Sequence, residues 1–130
     1  PESKRLELRI PRDSSREERE KALYSFYRAE LKRELPPLLA RWEPLLGVSV
    51  AEWGIKRMKT RWGTCNPRAR RVWINLELAK RPPACLEFVV VHELAHLIEK
   101  SHDARFKAVL DRHLPDWRAA QRLLKSYPLV

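Results

Sequence analysis

The sequence predicts an α+β fold, helical, with a small antiparallel-type β-sheet beside one buried helix. Three observations carry that expectation. Apolar side chains recur at helical spacing from about residue 15 to 46. From Val48 to Leu76 the pattern changes to short β-forming runs interrupted by a polar turn. Then Val89-Val90-Val91-His92-Glu93-Leu94-Ala95-His96-Leu97-Ile98 reads as a helix apolar on nearly every side, the signature of a core helix.

A chain of 130 residues is long enough for one core, so residues 1–130 are expected to form a single domain. Lys and Arg number 27 against 17 Asp and Glu, a formal charge of +10. Such a balance points to an anionic partner, an anionic substrate or simple solubility. No run of eighteen apolar residues exists, so no membrane helix is expected. Cys65 and Cys85 are too few for a disulfide framework and fit reduced thiols in the cytoplasm. The opening Pro1-Glu2-Ser3-Lys4 is neither a signal peptide nor an initiator methionine. Residues 1–13 are therefore expected to be an extended lead-in remaining from a longer N-terminal segment. Nothing in the sequence indicates an oligomeric state.

In chain order, Leu6, Leu8 and Ile10 alternate with charged residues as in a half-buried strand ended by Pro11. Ser14 followed by Glu17 has the form of a capping box. A helix is expected from Ser15 to Leu35, broken at Pro36-Pro37, with a shorter one from Leu38 to Leu46 stopped by Gly47. Three strands follow: Val48 to Ile55, Met58 to Cys65, and Arg71 to Leu76, read as an antiparallel meander. Asn66-Pro67-Arg68-Ala69-Arg70 is the turn before the last strand. Pro82-Pro83 opens the apolar helix. Ser101 is the expected N-cap of a helix packed through Phe106, Val109 and Leu110. Leu114-Pro115 ends it. A last basic helix from Asp116 to Tyr127 packs through Trp117, Leu123 and Leu124.

Lys56, Arg57, Lys59, Arg61, Arg68, Arg70 and Arg71 are unrelieved by any acidic residue, and Trp53, Trp62 and Trp73 interleave with them. Such a surface can bind nucleic acid or a nucleotide. The plain alternative is a solvated strand edge whose cations block edge-to-edge pairing, with the tryptophans facing the core.

The chemistry concentrates in His92-Glu93-x-x-His96. Helical positions four apart lie on one face, so both imidazoles can converge on one ion. Glu93 is offset by about 100° and can reach a water beside the ion without ligating it. A catalytic zinc usually takes three protein ligands. His102, six residues beyond His96 across an expected turn, is the candidate third. His113 lies about 16 Å farther along a helix and is assigned to a helix end instead. Cys85 is about 10 Å up the helix from His92 and out of reach. Cys65 cannot be placed by spacing, and as a fourth ligand it would close the site into a structural one. Glu99, one turn below His96, fits better as a partner to a histidine or as a water-facing residue than as a ligand.

Met58-Lys59-Thr60-Arg61-Trp62-Gly63-Thr64-Cys65, Trp73-Ile74-Asn75-Leu76, the run from Val89 to Leu97, His102 with Phe106, and Leu114-Pro115-Asp116-Trp117 together resemble the YgjP-like metallopeptidase family. That family comprises bacterial and archaeal relatives of the SprT-like and minimal zincin domains. The likeness spans about residues 14–125. Thr64 stands where the family often has Ser, which keeps the hydroxyl. Metzincins share the histidine spacing, but they turn on a Gly where this chain has Glu99, and no Met follows His102.

The resemblance implies a zincin-like fold and a zinc-dependent hydrolase of peptides or proteins, with one Zn²⁺ on His92, His96 and His102. Other first-row divalent metals suit the same donors. Glu93 is the expected general base. By the same likeness, Arg61, Trp62 and Asn75 line the substrate cleft. Arg61 and Asn75 are candidates to assist a developing oxyanion; a surface charge and a strand-end hydrogen bonder are their plain alternatives. Two other functions stay open: hydrolysis of a nucleotide phosphoanhydride, and a basic nucleic-acid-binding module with structural zinc.

Overall fold

The computed structural model describes residues 15–99 and 103–129. The expected strand over 1–12 and His102 lie outside them. The order of elements is α1 (Arg16–Leu46), β1 (Glu52–Lys56), β2 (Gly63–Asn66), β3 (Arg71–Asn75), a 3₁₀ turn (Leu76–Lys80), α2 (Pro83–Ala95), α3 (Ala104–His113) and α4 (Trp117–Lys125).

The two helices expected on either side of Pro36-Pro37 are one. The capping box sits one residue later than expected, with Ser15 accepting from the Glu18 amide and Glu18 accepting from the Ser15 amide. Glu30, Leu31, Leu35, Leu39, Trp42 and Leu46 form a continuous buried stripe through the proline pair. Pro36, Pro37 and Pro44 all point to solvent. The carbonyls they deprive of a partner belong to Lys32, Arg33 and Ala40, exposed residues where water can replace the lost bond. Gly47 then ends the helix in the left-handed conformation, φ 70°, as the sequence indicates.

The sheet is mixed rather than a pure antiparallel meander. Its order is β1-β3-β2, with β2 antiparallel to β3 and β1 parallel to it. The cause lies in the loop between β1 and β2, which wraps the end of β3. Asn75, fully buried at that end, donates to the carbonyls of Met58 and Arg61 and accepts from the amides of Met58 and Glu77. The strands are shorter than the β-forming runs, since Val48, Val50 and Met58 to Trp62 are loop. The 66–70 turn is as expected; the Asn66 side chain accepts from the amides of Arg68 and Ala69.

Val72 and Ile74 of β3 and Ile55 of β1 face the helices. Trp73 covers Gly54 on the other face, where a Cβ would meet its ring at 2.4 Å. Lys56 sits 4.6 Å from the same ring. Trp53 is exposed and Trp62 half-buried, so the tryptophans do not all face the core.

At the centre lies α2, against α1, α3, α4 and two strands. Cys85, Leu86, Phe88, Val89, Val90, Val91, Leu94 and Ala95 are buried around it, each large side chain contributing about 1.5–3 kcal/mol. Trp42 Nε1 donates to Glu87 at 2.9 Å and ties α1 to this helix. The N-cap of α3 is Asp103 rather than Ser101, accepting from the amides of Arg105 and Phe106. Trp117 and Leu124 seat α4; Leu123 is exposed, contrary to expectation. Among the described residues no helix is long and apolar enough to cross a membrane.

Candidate active site

His92 lies in the last turn of α2 and His96 is its C-cap. The second imidazole therefore leaves from the helix end, and the chain turns directly after it. Ligand atoms of His92, Glu93 and His96 all lie within 4.8 Å of one another. Glu93 is buried, and its Oε2 is 3.1 Å from His92 Nδ1. Aromatic rings fix both imidazoles. Phe106 of α3 lies 5.1 Å from the ring of His92 and 4.6 Å from that of His96, and Phe88 stands 5.6 Å from His92. The sequence marks Phe106 as core; its place between two histidines needs the tertiary fold.

Gly63 brings β2 onto this face of α2. A Cβ there would lie 2.7 Å from Val89 and 3.2 Å from the Glu93 side chain. The strand thus passes over the buried carboxylate at a separation that only glycine permits. Sequence reasoning missed this residue. A glycine inside a strand-forming run was the available signal.

Two cavities flank the histidines along β2. One, of about 220 Å³, is lined by Arg61, Trp62, Phe88, Val89, His92, Glu93 and residues of α4. The other, of about 580 Å³, is lined by Thr64, Cys65, Asn66, Arg68 and all three of His92, Glu93 and His96. Arg61 and Gly63 border both. Arg61 and Trp62 thus stand beside the histidines. Asn75 instead commits its amide to the backbone, matching the strand-end alternative.

Cys65 shares the larger cavity but is not part of the group within 4.8 Å. Burial pushes its thiol up to about 11, and the Glu93 carboxylate adds to the rise. Cys85 is fully buried, and burial raises its thiol too. Of the basic cluster, Arg57 pairs with Glu77 at 3.0 Å and Arg71 with Glu52 at 2.6 Å. Arg70 donates to Ser49. Those cations serve local structure, whereas Arg61 and Arg68 line the cavities.

The structure is similar to the metallopeptidase zymogen abylysin of Pyrococcus abyssi, with a TM-score of 0.63 at 16% identity over 73% of this chain and 98% of that one. It is likewise similar to the metallopeptidase zymogen jannalysin of Methanocaldococcus jannaschii, with a TM-score of 0.62 at 16% identity over 72% and 95%. At that identity the likeness is one of fold, and it is zincin-like. No curated protein matches the sequence. Residues 2–127 match the YgjP-like metallopeptidase domain. The chain therefore belongs to the YgjP-like metallopeptidase family and is a metallopeptidase-type hydrolase.

Proposed function

We propose that this single domain is a zinc-dependent peptidase in which His92, His96 and His102 hold the ion and Glu93 moves the proton. The observation that carries it is the convergence of two imidazoles and one buried carboxylate within 4.8 Å, at a helix end, beside an edge strand. Two imidazole nitrogens and an adjoining carboxylate suit zinc or another first-row divalent ion. When bound, the ion supplies Lewis acidity, lowering the pKa of a water to about 7 and polarising a carbonyl.

Everything else falls to the chain. Glu93 accepts the proton of the attacking water at a carboxylate oxygen and delivers it to the leaving nitrogen. Its burial under Gly63 fixes that oxygen beside His92 and limits competing water. Among the described residues β2 carries no strand on its outer edge, and Gly63 at its start borders both cavities, so an extended peptide can add a strand there. Asn75 positions the loop that carries Arg61 and Trp62. Two free thiols fit a reducing compartment, the cytoplasm.

The test is Glu93→Gln, with metal content and peptide hydrolysis measured together. The ion should stay and hydrolysis should fall by about 10²–10⁴-fold; full hydrolysis in the metal-loaded variant removes Glu93 as general base. His102→Ala should weaken zinc affinity, and unchanged affinity removes His102 from the ligand set. A second reading, hydrolysis of a nucleotide phosphoanhydride, is favoured by Arg61 and Arg68 lining the larger cavity with His92 and His96. Turnover of nucleoside triphosphates without turnover of any peptide would select it.

A further inference from the structure

The smaller cavity has a character of its own. It lies between the start of β2, α2 and α4, and its volume is about 220 Å³. Phe88 and Val89 form its inner wall, one helical turn before His92 and Glu93, which also line it. Four residues rise about 6 Å, a distance that a single side chain spans from a peptide carbonyl. Trp62 and Leu124 supply further apolar walls. The Phe88 ring stacks on Trp117, with centroids 6.3 Å apart and planes 7° from parallel. That wall is therefore set by the core. A cavity of about 150 Å³ holds a benzene ring, so this one accommodates a leucine or phenylalanine side chain and leaves an alanine side chain underfilled.

The rim differs from the walls. Gln121 and Lys125 of α4 stand there with Arg61. Two cations at the mouth repel a lysine or arginine side chain. The larger cavity, across the histidines, is lined by a larger share of polar groups, Thr64, Asn66 and Arg68 among them, with Cys65 and Pro67 beside them. The two cavities thus differ in polarity, the smaller being the more apolar.

We propose that the cavity between Trp62, α2 and α4 is the specificity pocket for a bulky apolar side chain adjoining the scissile bond, with α4 as its outer wall. The proposal rests on the peptidase reading and names its substrate class: peptides with Leu, Met or Phe on one side of the cleaved bond. The zinc-loaded full chain is titrated calorimetrically with small hydroxamates carrying a methyl, isobutyl, benzyl or aminobutyl group on either side of the chelating group. On one side, isobutyl and benzyl should bind at least about tenfold tighter than methyl or aminobutyl. In Gln121→Trp, whose indole occupies the pocket, that advantage should shrink to about threefold or less. Equal affinities for methyl and isobutyl on both sides overturn the proposal, as does an undiminished advantage in folded Gln121→Trp. If that variant does not fold, Gln121→Phe and the wild-type series decide. Chelator binding requires no amide hydrolysis. A missing side-chain preference therefore removes the pocket and leaves the peptidase reading standing. A clear preference, with no peptide in a library cleaved, removes the peptidase reading and leaves the pocket.

Discussion

At Gly63 one absent methyl decides how near the strand comes to Glu93. Gly63→Ala sets a Cβ 2.7 Å from Val89, so β2 or the helix must give way. The expected cost is about 1–3 kcal/mol, with a loss of turnover larger than the loss of metal affinity; chemical denaturation and zinc titration separate the two. Asn75→Ala strips partners from two amides and two carbonyls around one loop. It should cost about 3 kcal/mol in urea unfolding, and an undiminished midpoint contradicts the clamp role. Cys65 gives a pH prediction for the metal-free protein. Its folded value, about 11, lies above the ordinary 9.0. The folded state therefore holds a proton that the unfolded chain releases, and its contribution is whole below pH 9.0 and lost as pH rises toward about 11. Iodoacetamide alkylation of Cys65 should follow the same displaced curve. The helical pair of histidines was legible because spacing four along a helix is local geometry. Gly63 was not, and of Asn75 only the strand-end role was, because their partners sit on other elements.

Among the elements, α1 shows where local rules stop. Pro36-Pro37 signals a break, and the buried stripe from Leu31 to Leu46 overrides it, because every proline falls on the wet face. Pro37→Ala restores a hydrogen bond to an exposed carbonyl and should raise stability by about 1–2 kcal/mol. An unchanged unfolding midpoint would show that the helix already accommodates the ring. The sheet gives a parallel lesson. Composition located the strand region, but alternation does not name a strand's neighbour, and the placement of β1 beside β3 depends on a loop held by Asn75. The last helices show the same limit: Leu123 shares the apolar composition of Leu124 yet lies on the exposed side.

For the whole molecule, α2 is both the centre of the core and the carrier of the site. Stability and metal binding are therefore coupled. Zinc should raise the melting temperature and a chelator should lower it, by about 4 kcal/mol of linkage at a thousandfold excess over Kd; a melting curve indifferent to zinc contradicts a preformed folded-state site. The fold class and the chemical centre were readable because one buried, histidine-bearing helix dictates both. The shape of the cleft was not, since its walls beyond α2 come from the loop before β2, β2 itself, the turn after it and α4.

Ending α2 at His96 has an electrostatic consequence. Aligned peptide dipoles leave about half a negative charge at the carboxyl end of a helix. The last carbonyls of α2 thus lend that field to the place where a divalent cation binds. A helix extended one turn past His96 would keep both imidazoles and move the negative pole away from the ion.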